Sequence, residues 1–277
     1  MKKINNKFSK FISDVIKLIR KPVMSILPGQ LSFFLLLSII PIILILGLIF
    51  SYISISINDI SQIIKVTLPA NTSSLILPLL SGRGIDYNII ILIVSALLLV
   101  SKGTRSIIRV ADTIYDIKDK TTVRVVVKSI LLAIQLIVLL LFLIVFPILG
   151  TRILHMLDNF KIVSNLTDNF IYLFNILKWP ITMFVIYINL KIIYKLSPNQ
   201  PISKESVVTG SIFTSALWLI ITAGYSFYIT HLTKYNIFYG GASNIIILML
   251  WIYLISYIFV LGMSINASYL KNQNDLQ

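Results

Sequence analysis

VKSILLAIQLIVLLLFLIVFPILG, residues Val127–Gly150, holds a single charge (Lys128), a single side-chain amide (Gln135) and otherwise almost only apolar residues. A helix needs about 20 predominantly apolar residues to cross roughly 30 Å of hydrocarbon, so this stretch alone reads as a membrane-spanning helix. Working outward, comparable runs occur at Leu31–Ile53, Asn88–Val100, Phe170–Leu190, Val207–His231 and Asn244–Leu270. Runs of this length favour helices over a barrel, whose strands need only about 10 residues in strict alternation. Hydrophobic residues make up 57% of the chain, charged residues 12%, and the mean hydropathy is +0.93. The expected fold class is an all-α integral membrane protein with six transmembrane helices.

The charges set the expected orientation. Lys2, Lys3, Lys7, Lys10, Lys17, Arg20 and Lys21 precede the first run, and Lys102, Arg105, Arg109, Lys118, Lys120, Arg124 and Lys128 flank the link between the second and third. Lys191, Lys195 and Lys204 follow the fourth, and Lys271 the sixth, whereas the alternate links hold only Lys65, Arg83, Arg152, Lys161 and Lys234. This alternation is the positive-inside pattern, with both termini cytoplasmic. The net charge of +14 is thus assigned to topology and to the anionic lipid of the inner leaflet rather than to nucleic acid. No cleavable signal peptide is expected, because the basic stretch leads into a full-length span.

Three regions are expected: residues 1–30 as a cytoplasmic basic amphipathic helix, 31–270 as the six-helix transmembrane domain, and 271–277 as a cytoplasmic tail. In the first, Phe8, Phe11, Ile12, Val15, Ile16 and Ile19 recur at helical spacing opposite Lys10, Asp14, Lys17 and Lys21, the signature of a helix lying in the interface. Pro22 and Pro28-Gly29 are expected to break it. The loop Ser54–Tyr87 is expected to cap the outer face with short interfacial helices. No repeat or low-complexity tract stands out.

The second run is too short to cross alone, at about 20 Å of helix, but Ser101–Ile117 continues the pattern. Ile107, Ile108, Ala111, Ile114 and Tyr115 share one face; Lys102, Arg105, Arg109, Asp112 and Asp116 share the other. Charge at membrane depth is usually paired or functional, so this stripe is expected to line a wet cavity or to leave the membrane into solvent. Lys102, Arg105, Arg109 and Lys178 are the candidate substrate-facing cations. Asp112 and Asp116 are expected to hold the arginines by helical neighbour pairing. Pro41, Pro147 and Pro180 are expected kinks. Lys178 is read first as a snorkelling residue beside Trp179. Gln135 reads as interhelical glue, and Gly210, Ser211, Thr214 and Ser215 as a small-residue packing face.

Zero cysteines exclude disulfides and thiolate sites, and two histidines without acid–histidine spacing make a metal centre improbable. No cofactor is expected. Phosphodiester hydrolysis needs clustered carboxylates or a histidine pair; Asp112, Asp116 and Asp119 cluster among basic residues and read as ion-pairing groups.

The chain resembles the YihY/BrkB family of bacterial inner-membrane proteins from about Phe8 to Leu270. The resemblance rests on Trp218, Tyr225 and FYGGASNIIILMLWIYLISYIFVLGMSINASYL (Phe238–Leu270), with Leu250-Trp251-Ile252-Tyr253 and Leu261, Gly262, Asn266 and Ala267. LSFFLLLSIIPIILIL (Leu31–Leu46) and the region around Gly103, Tyr115 and Arg124 add to it. The resemblance implies a multi-pass protein of the bacterial plasma membrane. It also brings an old ribonuclease label, along with links to serum resistance and envelope lipids. Where the family often has Gly-Ala-Glu, this chain has Gly262-Met263-Ser264, so a role for that carboxylate does not transfer. Two functions remain: a transporter or flippase of an anionic amphiphile, and a non-transporting accessory protein of envelope assembly. A homo-oligomer or an envelope partner is compatible with either. A polar intramembrane cavity favours the first, a solidly packed bundle the second.

Overall fold

In the apolar runs the backbone has no competing partner, so each amide must be satisfied within its own segment, and the helix does this. The structure, a computed structural model, describes residues 13, 15–52, 87–118, 122–158, 164–231 and 243–274. They form six long helices: α1 (Val23–Tyr52), α2 (Tyr87–Ile114), α3 (Thr122–Asp158), α4 (Ser164–Leu196), α5 (Val208–His231) and α6 (Ser243–Asn274). Among the described residues five helices, all but α2, are long and apolar enough to cross a membrane, so the chain is a multi-pass membrane protein by length and composition. The apolar start of α2 and its charged continuation form one helix of 28 residues.

Each helix packs against its neighbours in the chain, and α6 closes on α1, which gives a ring in sequence order. The start of α1 and the ends of α2 and α6 meet at one end of this ring. Leu31, Ile108, Leu132, Leu190, Ile193, Val260 and Met263 fill the centre at no more than 1% exposure. A second cluster joins Ile42, Ile45 and Leu46 of α1 to Ala96 and Val100 of α2 and Ala133 and Ile137 of α3. Outward, α3 presents Val127, Leu131, Ile134 and Val138, and α1 presents Phe33, Leu37 and Ile40, all exposed. Apolar stripes of this extent on the outside of a bundle suit lipid, not water.

Small residues set the closest approaches. A Cβ on Gly103 of α2 would collide with Ser38 of α1, and one on Gly262 of α6 would collide with Thr214 and Tyr194. Gly210 of α5 faces Gly262 in the same crossing, and Ser211, Thr214 and Ser215 are fully buried beside it. The expected packing face is therefore present.

Buried polar groups tie the ring together. Gln135 Nε2 donates to Asn189 Oδ1 between α3 and α4, the expected glue. Tyr194 Oη donates to the Phe259 carbonyl at 2.9 Å and lies 2.8 Å from Thr214 Oγ1, joining α4, α5 and α6. Trp218 Nε1 and Tyr225 Oη donate to the Ile255 and Ile247 carbonyls at 3.0 and 2.6 Å. Such bonds typically contribute about 0.6 kcal/mol each inside a membrane bundle.

The boundaries differ from expectation in two places. The N-terminal segment breaks at residues 20–22, at the expected Pro22, but α1 begins at Val23 rather than Leu31 and Pro28-Gly29 lies inside it. Pro28, the sixth residue of α1, removes the one ladder bond its amide would make to the Met24 carbonyl, and the helix continues through it. At the other end α6 runs through Leu270 to Asn274. Pro41, Pro147 and Pro180 all lie within helices that continue through them. In the N-terminal segment residues 15–19 are helical, with Leu18 buried and Ile16 and Ile19 exposed. Its residues 1–12 and 14, the loop 53–86 and Gly240-Gly241 lie outside the described residues.

Candidate functional site

The charged stripe of α2 belongs to the outer face of the ring. Ile91, Val94 and Leu98, each about half exposed, follow the i, i+3, i+7 spacing that places them on one side. The same spacing continues through Lys102, Arg105 and Arg109, of which Lys102 and Arg109 are exposed and Arg105 half-buried. The opposite side, Val100, Thr104, Ile107, Ile108 and Ala111, is buried in the ring. Of the two expectations for the stripe, a wet internal cavity or a solvated face, the outward exposure of Lys102 and Arg109 fits the second. The helix turns its lipid-like face into a cationic one without rotating, because the interior face needs its apolar residues for packing. Arg105 Nε is buried beneath this face with no hydrogen-bond partner.

Asp112 is engaged by a loop rather than only by its own helix. The Asn199 backbone N–H and Nδ2 donate to its two carboxylate oxygens at 2.9 and 2.6 Å. Lys128 Nζ of α3 donates to the neighbouring Pro198 carbonyl. The α4–α5 loop is thereby drawn beneath α2 and α3, and Ser197, Asn199 and Ile202 are buried. Nothing in the polar turn Ser197–Pro201 signalled this, since such a composition ordinarily marks a solvated loop.

Asp116 stands beyond the helix with φ 54°. The Ile117 N–H donates to the Asp112 carbonyl at 2.8 Å, which makes a Schellman termination with Asp116 in the left-handed position. Its place past the last turn separates it from Arg105 and Arg109.

Lys178 is half-buried on α4, six residues after Tyr172, where that span begins. Measured from Leu196 it lies about 27 Å up its helix, against about 14 Å for Arg105 from Ile114. Since α4 packs on α3 and α5, the structure does not bring Lys178 to the α2 cations. Trp179 beside it is 59% exposed, as an interfacial anchor would be. Among the described residues no three His, Cys, Asp or Glu side chains converge.

The family model for virulence factor BrkB matches residues 20–277. The chain belongs to that family. YfkH of Bacillus subtilis (strain 168), whose name calls it ribonuclease-like, is 28% identical over 247 residues, 86% of this chain and 87% of its own. The membrane protein PSHAa0171 of Pseudoalteromonas translucida is 30% identical over 96 residues, 35% of this chain and 31% of its own. A membrane protein of Pseudoalteromonas atlantica is 35% identical over 71 residues, 26% of this chain and 24% of its own. No solved structure matches.

The residues that carried the resemblance to the BrkB family have structural work in this chain. Gly262 makes the α5–α6 crossing, Trp218 and Tyr225 bond α6 carbonyls, and Asn266 Oδ1 accepts from the Gly210 N–H at 2.7 Å. That last bond satisfies an amide in the first turn of α5, which its own helix cannot. Ser264 donates to the Val260 carbonyl at 2.9 Å and is 6% exposed. It is a hydroxyl bonded to its own helix, not a carboxylate.

Proposed function

We propose that this BrkB-family chain is a non-enzymatic, six-span transporter or flippase of an anionic lipid or other anionic amphiphile. In this reading it sits in a bacterial plasma membrane with both termini cytoplasmic and α2 as the sixth span. The supporting observation is the α2 outer face, where Ile91, Val94 and Leu98 pass directly into Lys102, Arg105 and Arg109. A molecule with an apolar tail and an anionic head fits such a graded track, its tail in lipid and its head on the cations. Pro41, Pro147 and Pro180 supply helix positions where the backbone ladder is already incomplete. Lys178 is assigned to the outer interface. The sequence has no phosphate-binding Gly-rich loop with a following Lys-Ser/Thr, so a gradient or a partner is the proposed drive.

The test is translocation of labelled anionic lipid in proteoliposomes, read by a membrane-impermeant quencher. Wild type should translocate, and an Arg105→Ala/Arg109→Ala chain of unchanged helicity should lose most of that rate. Wild-type rates equal to empty liposomes across anionic and zwitterionic lipids would sink the reading. A second reading, a non-transporting accessory protein of envelope assembly, is favoured by the packed ring centre, with Tyr194, Leu132 and Val260 at 0% exposure.

A further inference from the structure

At the end of the ring where α1 begins and α6 finishes there is a cleft of about 470 Å³, within the size range of small-molecule sites. Its walls come from three elements distant in sequence: the N-terminal segment with the first turn of α1, the end of α2, and the last turns of α6. The two spans that flank it begin at Val23 and end at Lys271, both of which line it. The cleft therefore opens at the level where the apolar spans give way to water, the depth that lipid phosphates occupy.

Its chemistry is divided. Leu18, Met24 and Leu270 make an apolar wall, while Thr113, Tyr115 and Ser268 supply hydroxyls. Tyr115 Oη is buried with no hydrogen-bond partner, and a buried phenol ordinarily has one. Lys21, Lys271 and Asp116 are exposed members of the lining, and together they leave one net positive charge. Asp116 is fixed there by its left-handed backbone at the α2 terminus, a conformation a non-glycine residue holds at some expense.

We infer that this cleft binds one monoanionic glycerophospholipid, its phosphodiester between Lys21 and Lys271 and its glycerol and upper acyl chain against Leu18, Met24 and Leu270. A phosphodiester carries the single negative charge that balances the lining, and its oxygens accept from ammonium and phenol groups alike. The apolar wall distinguishes a lipid from free phosphate, because a head without a chain would leave that wall in water. The site lies apart from the α2 outer track and needs only a membrane, not translocation.

The full-length chain, purified in neutral detergent, is titrated with phosphatidylglycerol and read by native mass spectrometry. One lipid should be retained per chain. Lys21→Glu/Lys271→Glu should weaken it about tenfold or more, the scale of two partly exposed charge contacts reversed. Lys195→Glu/Lys204→Glu, which reverses exposed lysines elsewhere on the chain, should leave it unchanged. Ala267→Trp fills the cleft with both lysines intact and should also release the lipid, which separates occupancy from any loosening of the N-terminal segment. Soluble glycerol phosphate should not compete. Retention that survives both the charge reversal and Ala267→Trp overturns the site, as does equal loss in the Lys195/Lys204 control. Competition by glycerol phosphate would overturn the lipid in favour of a soluble phosphate. Retained lipid with no translocation sinks the transport reading alone.

Discussion

Asn199 grips Asp112 from two directions, its backbone N–H on one carboxylate oxygen at 2.9 Å and its Nδ2 on the other at 2.6 Å. The pair joins the α4–α5 loop to α2 across 87 residues of sequence, and Lys128 holds the same loop through the Pro198 carbonyl. A polar loop buried at a bundle end must have its backbone groups paired, or it would unwind into solvent. Here one carboxylate and one ammonium do that for two successive residues.

Breaking this latch should therefore expose the loop before it unfolds the ring. The chain has no cysteine, so Ser197→Cys, at a fully buried position, reports on the loop alone. Maleimide labelling should be slow in that background and several-fold faster when Asp112→Ala is added. Loss of the charged hydrogen bonds should also lower stability by about 1.5–3 kcal/mol. Equal labelling in both chains would mean that Asp112 does not hold the loop.

Gly262 and Gly29 make a matched pair for the packing argument. A Cβ at Gly262 would run into Thr214 and Tyr194, whereas nothing lies within 4 Å of one built at Gly29. Gly262→Ala should destabilise the bundle by about 1–3 kcal/mol through overpacking. Gly29→Ala, inside α1, should be neutral or stabilising by up to about 1 kcal/mol, because alanine loses less backbone entropy in a helix. Thermal unfolding in detergent orders the two, and a tolerated Gly262→Ala would remove the close α5–α6 crossing.

Asp116→Gly should raise stability by roughly 1 kcal/mol, since φ 54° is free for glycine and strained for any side chain. Asp116→Val should lower it, because a β-branched residue fits that region worst. Thermal unfolding of the two variants beside wild type checks the sign. If both shift it the same way, the termination of α2 is not of the Schellman kind.

The membrane class, the apolar spans, the small-residue face around Gly210 and the Gln135 staple were legible in sequence because each rests on local composition or helical periodicity. The direction of the α2 stripe was not. Lys102, Arg105 and Arg109 share a face whichever way that face points, and only the packing of Ile107, Ile108 and Ala111 into the ring turns it outward. The break at Pro22 was legible, but the second one expected at Pro28-Gly29 did not occur: that pair carries a breaker's composition, yet the helix loses only the single bond of the Pro28 amide and runs on. The Asp112–Asn199 contact spans 87 residues, beyond the reach of any local pattern, and the placing of Lys21 and Lys271 on the lining of one cleft depends on α6 closing the ring.

Tyr115 offers a test of burial at the end of α2. Its ring packs against the central cluster while its hydroxyl is buried without a partner. Tyr115→Phe keeps the ring and removes the unpaired group, so in delipidated detergent at neutral pH it should be neutral or stabilising by up to about 1 kcal/mol. Burial also pushes the Tyr115 phenol above its ordinary range. Below about pH 10 the phenol is neutral in folded and unfolded chains alike, and above that pH the unfolded chain ionises first. Wild-type stability should therefore fall, relative to Tyr115→Phe, as pH rises from about 10 towards the raised native value. Other tyrosines titrate in both proteins, so the informative quantity is the difference between the two unfolding curves at about pH 8 and about pH 11. A difference that stays constant across that interval would place the Tyr115 hydroxyl in water.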